Sequence, residues 1–238
     1  DKKAMEKYLA VRDTLVEPYV REYEVMRGDE HVFVLCHTKL ITLANGDRVS
    51  LTSVMNITEN KKFEQRLLVQ SRMDALTKIC NRGYGEAQIE KLLKAKKNGM
   101  FLLFDVDKFK HINDTYGHLA GDKVIKMVAS IDDKFARAHG GFACRYGGEE
   151  FLLVLPGYDE TQALPILEEM HKEIQTTIVQ YDDKEIPVNV CIGLSAYPTI
   201  CRDTNILVNR ADKSMYYGKK HGRGRLVVDN PAVDDMQS

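Results

Sequence analysis

The chain has 238 residues, of which 44% are hydrophobic and 29% are charged, and this composition excludes an extended disordered chain. Its 34 lysines and arginines nearly balance 35 aspartates and glutamates, which argues against a general nucleic-acid binder. No apolar run reaches the roughly 18 residues of a membrane span. The five cysteines form no CxxC pair, so we expect reduced thiols, no zinc site and a cytoplasmic location.

The first part of the chain is predicted to be a helix followed by a small antiparallel sheet. Apolar residues at helical spacing run from residue 5 to 20, and Pro18 ends that pattern. Asn45-Gly46-Asp47 is a strong hairpin signal between the last two of the strands that follow. These strand-like runs are Tyr19 to Met26, Val32 to Leu43 and Arg48 to Ile57.

A polar, charged helix is predicted next, over residues 59–79. Its apolar positions form only a narrow stripe, which suits a solvent-bridging or self-pairing linker helix. The stripe consists of Phe63, Leu67, Leu68, Met73 and Leu76.

From residue 74 onward, helices and strands alternate. The predicted helices cover 85–96, 119–136, 161–179 and 205–220, and the predicted strands cover 100–106, 142–146, 151–155, 186–196 and 225–228. This order is β-α-β-β-α-β with additions, so we expect an α+β, ferredoxin-like (palm-type) domain after the small antiparallel segment and the linker helix.

Asp105 and Asp107 follow a buried apolar strand directly. Acids in that position are costly unless they meet a cation or hydrogen-bond donors. One interpretation is a site for a hard cation such as Mg²⁺, which takes a few carboxylate oxygens together with substrate phosphates. The alternative is a pair of strand-end acids that face solvent.

Gly147 and Gly148 are predicted to form a tight hairpin tip with positive φ angles. Glu149 and Glu150 follow at the start of the next strand, and adjacent acids at a turn are ordinarily solvated. In a ferredoxin-like sheet this hairpin lies beside the strand that ends in Asp105, so acids from both strands can share metal ions next to a bound nucleotide.

Two polar pairs lie farther along the chain. Asn113 and Asp122 carry the donor and acceptors that match the edge of guanine, although Asn113 also suits a turn and Asp122 a helix cap. Lys219 and Arg223 can hold phosphate oxygens, although cations near a helix C-terminus are favourable in any protein.

The order of these motifs resembles that of the GGDEF-family diguanylate cyclases over about residues 74–228. The matching blocks are Asp74-x-Leu76-Thr77 with Asn81-Arg82, Asp105-Val106-Asp107-x-Phe109-Lys110-x-x-Asn113-Asp114-x-x-Gly117-His118-x-x-Gly121-Asp122, Arg145-Tyr146-Gly147-Gly148-Glu149-Glu150-Phe151, and Ala211-Asp212-x-x-Met215-Tyr216 with Lys219 and Gly222-Arg223. The first of the two acidic positions in the signature is Glu149 where many members carry Asp, a GGEEF variant that resembles active members.

The resemblance implies that two GTP molecules, one on each domain of a homodimer, condense to cyclic di-GMP and two pyrophosphates. It assigns two Mg²⁺ or Mn²⁺ ions per active site to Asp105, Glu149 and the carbonyl of Val106, with Glu149 also the candidate base. It implies further roles for Glu150 as a supporting acid, Lys110 at the transition-state charge, Asn113 and Asp122 at guanine, Phe109 and His118 at the substrate, and Lys219 and Arg223 at the distal phosphates. Alternatives are a non-catalytic GTP-binding or protein-interaction module and a cyclase with relaxed base choice.

Two further features concern regulation. The RxxD product-inhibition site of many members is replaced by residues 138–141 (Ala-His-Gly-Gly), so we expect that site to be absent. The Asn45-Gly46 hairpin and the run from Val54 to Glu59 resemble the C-terminal half of a PAS sensor domain. The expected organisation is therefore a PAS-like segment at 1–58, a linker helix at 59–73, a cyclase domain at 74–229 and a tail at 230–238.

Overall fold

The computed structural model describes residues 19–95, 97–197 and 203–229. Most of the helix predicted over residues 5–20 lies outside these ranges, as does the predicted tail. Contacts between residues divide the chain into two compact units, with the boundary between Ser71 and Arg72.

The first unit is a three-stranded antiparallel sheet followed by a helix, as the sequence predicts. In the hairpin between the second and third strands, Gly46 has a φ of 88°, and the side-chain amide of Asn45 donates to the Asp47 carboxylate at 2.8 Å. The elements are β1 (Tyr19–Arg27), β2 (Glu30–Thr42), β3 (Arg48–Asn56) and α1 (Thr58–Arg72), and the strand order is β1-β2-β3.

The prediction that the linker helix continues to residue 79 is wrong, because α1 ends at Arg72. Met73 forms an antiparallel bridge with Cys80. Between them the Asp74 carboxylate accepts the backbone N–H groups of Leu76 and Thr77 at 3.2 and 2.9 Å. This local side-chain turn competes with helical hydrogen bonding and stops the helix.

The second unit contains the alternating helices and strands. Its elements are β4 (Cys80–Asn81), α2 (Arg82–Lys94), β5 (Gly99–Val106), α3 (Phe109–Tyr116), α4 (His118–Ala138), β6 (Phe142–Arg145), β7 (Glu150–Pro156), α5 (Glu160–Thr176), β8 (Val179–Tyr181), β9 (Lys184–Ile186), β10 (Val190–Tyr197), α6 (Thr204–Lys220) and β11 (Leu226–Val228).

Six of these strands form one sheet in the order β11-β10-β5-β7-β6-β4. β5 is buried along its whole length, and its side chains alternate between two apolar layers. Helices α4 and α5 cover one face, and α2 and α6 cover the other. The four central strands and the α4 and α5 crossovers give the predicted ferredoxin-like arrangement, which is therefore confirmed.

Two parts of the second unit differ from the prediction. Helix α3 was not predicted: it has eight residues, buries only Ile112, and begins after Lys108, which has a left-handed φ of 55°. The strand predicted over 186–196 is broken, because β9 pairs with β8 in a separate hairpin. Pro187, which has no N–H to donate, follows β9 directly.

No helix in the described ranges is long and apolar enough to cross a membrane.

Candidate functional site

Acidic residues of two neighbouring strands meet at one end of the sheet, together with a lysine from α6. Asp105, on β5, is 8% exposed and lies opposite Glu150 in the ladder with β7. The Lys219 ammonium is 3.0 Å from its carboxylate. The Val106 N–H donates to the Glu149 carbonyl at 3.2 Å, which joins the two strands at this point. We call Asp105, Glu149, Glu150 and Lys219 the carboxylate end.

The carboxylate end concentrates negative charge in a poorly hydrated place. Burial raises the pKa of Asp105 to about 6; Lys219 opposes this rise, and the charges of Glu149 and Glu150 add to it. One ammonium group therefore does not neutralise the three carboxylates. An additional cation would be stabilised here.

Asp107 has different surroundings from Asp105, although both acids follow the same apolar run. Its carboxylate is buried and accepts the Gly224 N–H at 2.9 Å and the Cys191 thiol at 3.2 Å. The Arg223 guanidinium is 4.0 Å away. Asp107 therefore holds the turn that carries Arg223. The alternative of a strand-end acid that faces solvent is therefore wrong for this residue.

The turn between β6 and β7 is closed by its own backbone. The N–H groups of Tyr146 and Gly147 both donate to the Glu150 carbonyl, at 2.8 and 3.2 Å. Neither Gly147 nor Gly148 has the positive φ that the sequence predicts. The absence of a side chain at 147 gives room to the Glu150 carboxylate, which a Cβ there would displace.

Arg145 fixes the position of this turn. Its guanidinium donates to the Gly148 carbonyl through Nε and Nη2, at 3.1 and 2.7 Å, and to the Asp74 carboxylate through Nη1 at 3.2 Å. Asp74 and Arg145 both belong to the motif blocks, but no role was predicted for either. They are far apart in sequence, so only the fold shows that they meet.

The second group of predicted residues lies where α3 meets α4, and we call Phe109, Asn113, Gly121 and Asp122 the helix corner. Asn113 lies inside α3 and Asp122 inside α4, which begins at His118, so neither is the turn residue or helix cap considered above. A Cβ on Gly121 would overlap the Asn113 Oδ1 and press on the Phe109 ring. The Asn113 Oδ1 is buried without a hydrogen-bond partner.

A buried acceptor without a donor costs about 1–3 kcal/mol, so the helix corner is suited to a ligand that supplies one. Asp122 is half-buried, whereas Lys110 and His118 are exposed. Lys110 and His118 are therefore not held by packing, in contrast to the buried and half-buried side chains of the carboxylate end.

A cleft of about 580 Å³ opens beside Asp107. It is lined by Arg223 and its two neighbouring glycines, by Lys108 and His111, and by residues of α5 and the β9–β10 connection. Of the residues to which the resemblance assigns a role, Arg223 alone lines it, and Asn113 and Asp122 do not. The cleft therefore adjoins the predicted phosphate site and is separate from the helix corner.

Within the described ranges, no group of three or more His, Cys, Asp and Glu side chains has a metal-holding arrangement. The donors at the carboxylate end are the Asp105 and Glu149 carboxylates and the Val106 carbonyl. Mg²⁺ prefers such hard oxygen ligands, and it is commonly held by one or two carboxylates plus substrate phosphates. The residues therefore fit a divalent cation that is shared with a phosphate ligand.

Comparison with known proteins identifies the second unit. The family model described as "Diguanylate cyclase, GGDEF domain" matches residues 71–225. Diguanylate cyclase A of Treponema denticola is 39% identical over 133 residues, which are 56% of this chain and 36% of that protein. Diguanylate cyclase DgcM of Escherichia coli K12 is 34% identical over 189 residues, which are 77% of this chain and 44% of that protein.

The fold is also that of solved structures. The crystal structure of the coiled coil and GGDEF domain of DgcB from Caulobacter crescentus, in complex with c-di-GMP, matches with a TM-score of 0.66 and 26% identity. The match covers 72% of this chain and 93% of the DgcB chain. By contrast, the chain spans less than half the length of the two curated relatives.

Proposed function

We propose, from the premise that the chain belongs to the family of diguanylate cyclase GGDEF domains, that it condenses two GTP molecules into cyclic di-GMP and two pyrophosphates. The observation that carries this proposal is the carboxylate end, where Asp105 on β5 lies beside Lys219 and next to Glu149, the residue that precedes β7. The named relatives support the same chemistry at the level of the family.

In the proposed reaction, the 3′-hydroxyl of one GTP attacks the α-phosphate of the other. Glu149 is half-buried and is the candidate base that takes the hydroxyl proton. Glu150 lies opposite Asp105 in the ladder and supports the charge balance of the site. Lys110 is exposed on α3, where it is free to reach the charge that develops on the transferring phosphate.

Asp105, Glu149 and the Val106 carbonyl would hold the divalent cations, Mg²⁺ or Mn²⁺, which we propose to be two per active site. When bound, such ions polarise the phosphate and stabilise charge on the attacking and leaving oxygens. The raised pKa of Asp105 supports this assignment, since its cause is a burial of charge that Lys219 alone does not offset.

Guanine selection is assigned to the helix corner. The unpaired Oδ1 of Asn113 would accept a hydrogen bond from the base, and the half-buried Asp122 would accept from the guanine N–H groups. Phe109 packs beside Asn113 against Gly121 and would border the nucleotide. His118, exposed at the first residue of α4, is a further proposed substrate contact.

The distal phosphates are assigned to Lys219 and Arg223. Lys219 already lies at the carboxylate end, and the Arg223 turn is held in place by Asp107. Arg223 is about half exposed and lines the 580 Å³ cleft, so its guanidinium is accessible to an anionic ligand. Two cationic side chains held by different acids, Lys219 by Asp105 and the Arg223 turn by Asp107, suit the binding of a triphosphate.

Because each site binds one GTP, we propose that catalysis requires a homodimer. Helix α1 supports this, since Phe63 and Leu67 are 61% and 48% exposed, and Leu68 and Val69 are exposed beside them. Pairing of two α1 helices would cover this apolar stripe. We further propose that the first unit is a PAS-like segment that regulates the geometry of the dimer.

The test is incubation of the purified dimer with GTP and Mg²⁺, with the product identified by mass. We expect cyclic di-GMP from the native chain and none from Glu149→Ala. Glu168→Ala, an exposed substitution on α5, is the matched control and retains activity. A folded dimer that binds GTP without releasing pyrophosphate would favour the non-catalytic GTP-binding module.

A further inference from the structure

Two cysteines of the second unit are neighbours in the sheet. Cys80 in β4 and Cys144 in β6 are directly paired in a parallel ladder, and each thiol shifts the pKa of the other. Cys144 is completely buried, whereas Cys80 is half-buried at the edge of the sheet. None of the roles proposed above uses either residue.

The geometry of this pair is compatible with a covalent link. Neighbouring strands lie about 4.8 Å apart, and the two Cα atoms of a disulfide are separated by about 4.4–6.8 Å. β4 is an edge strand of only two residues, so it can shift to meet the S–S bond length. Gly85 leaves room for the Cys144 sulfur, because a Cβ at that position would overlap it.

The two thiols are chemically unequal. Interaction with the Cys144 thiol holds the pKa of Cys80 below its usual value, whereas interaction with Cys80 and burial raise the pKa of Cys144. Reactive thiols are those with a thiolate and solvent access, and a redox-sensitive cysteine is often placed next to a resolving one. Cys80 therefore has the features of the attacking thiol and Cys144 those of the resolving thiol.

The other described cysteines lack such a partner. Cys36 belongs to the first unit. Cys191 is buried, and its thiol donates to the Asp107 carboxylate. Burial, together with this hydrogen bond, raises the pKa of the Cys191 thiol to about 11. Oxidation should accordingly be selective for the Cys80–Cys144 pair.

We propose that Cys80 and Cys144 are a redox modification site that forms a reversible disulfide with a hydroperoxide as oxidant. The Cys80 thiolate attacks the peroxide oxygen and becomes a sulfenic acid, and the peroxide leaves as an alcohol or water. The Cys144 sulfur then attacks the Cys80 sulfur and expels water. In total, two thiols and one hydroperoxide give one disulfide, one alcohol and one water. In a reducing compartment such a bond is transient and reports oxidative conditions.

The disulfide would link the edge strand β4 covalently to β6, which ends at Arg145 and leads into the turn between β6 and β7. It closes a long loop of the chain, and such a link stabilises mainly by restricting the unfolded state. The oxidised protein should therefore unfold at a higher temperature than the reduced protein. This readout is independent of the proposed enzymatic activity.

The experiment treats the full chain with hydrogen peroxide, blocks the remaining thiols and measures the mass and the linked peptides. We expect the loss of two hydrogen atoms and two titratable thiols, a peptide that joins Cys80 to Cys144, and full reversal by dithiothreitol. Cys36→Ser is the matched control and keeps the link.

Two variants separate the roles of the thiols. Cys144→Ser should accumulate a Cys80 sulfenic acid that dimedone traps. Cys80→Ser, a milder change at a half-buried position, should leave Cys144 unreactive and abolish the rise in unfolding temperature. The proposal is overturned if peroxide drives Cys80 to sulfinic acid without a link in the native chain, or if the first crosslink involves Cys36 or Cys191.

Discussion

The carboxylate end and the helix corner prepare for a ligand in opposite ways. At the carboxylate end, protein contacts already fix the groups: Lys219 lies against Asp105, and Arg145 holds the Gly148 carbonyl. At the helix corner, the Asn113 Oδ1 is buried without a partner. A charged reaction centre gains from groups that are positioned before the substrate arrives, whereas selectivity for a base gains from groups that only the correct base satisfies.

The sharpest way to break this comparison is to remove charge at the carboxylate end. Asp105→Asn should lower the turnover of GTP about a thousandfold, the size of effect that follows loss of a group stabilising transition-state charge. The fold should persist, because Asp105 is buried against the charges of Glu149 and Glu150, and the amide relieves that cost. Pyrophosphate release and thermal unfolding measure the two effects. Retained turnover would remove Asp105 from the metal site.

The helix corner should respond through affinity and selectivity. Asn113→Ala removes the unpaired acceptor, and we expect the KM for GTP to rise about tenfold, as one hydrogen bond to a ligand is worth about 1.4 kcal/mol. Binding of ATP should change much less. Thr115→Ala, an exposed change on the same helix, is the control. Equal losses for both nucleotides would show that Asn113 supports only the packing of the corner.

Arg145 tests whether prior positioning matters at the carboxylate end. Arg145→Ala frees the Gly148 carbonyl, so we expect kcat to fall about tenfold to a hundredfold while the KM for GTP changes less. Arg137→Ala removes an exposed ion pair with Asp133 and serves as the control. A loss confined to KM would assign Arg145 to nucleotide binding instead.

The smallest expected effect concerns stability and pH. Burial raises the pKa of Asp74, but hydrogen bonds from Thr77 and Arg145 outweigh this effect and hold the pKa below its usual value. A lowered pKa adds stability above the unfolded pKa of about 3.9, and this stability is lost as the pH falls through the folded pKa. Asp74→Asn should therefore lower the free energy of unfolding by about 1 kcal/mol at pH 7.

As the pH falls below about 3.9 and then through the lower folded pKa of Asp74, the native chain and Asp74→Asn should converge in stability, because the native side chain also becomes neutral. Denaturant titrations at several pH values measure this difference. A difference independent of pH would mean that the ionised carboxylate adds nothing to the turn.

Much of the second unit could be predicted because its core strands and helices are strongly patterned. The apolar run of β5 and the helical spacing of α4 indicate the correct elements, and their order indicates the ferredoxin-like sheet. The pattern of apolar residues failed at two places. A local side-chain turn at Asp74 ends α1 early, and α3 buries too little apolar surface to be recognised.

The site residues show the same limit. Asp105 and Asp107 are equivalent in sequence, but only the fold shows that Asp107 binds the Gly224 N–H and holds the Arg223 turn. The contact between Asp74 and Arg145 joins distant segments, so spacing alone does not reveal it. At Gly147, the sequence predicts a positive φ that the structure does not show, and the glycine instead leaves space for the nearby Glu150 side chain.

The most direct test of the central claim is a crystal structure of the chain with a non-hydrolysable GTP analogue and Mg²⁺. We predict a cation bound by both Asp105 and Glu149, next to the triphosphate, with guanine on Asn113. Carboxylates that point apart with no cation between them, around a bound nucleotide, would contradict the account.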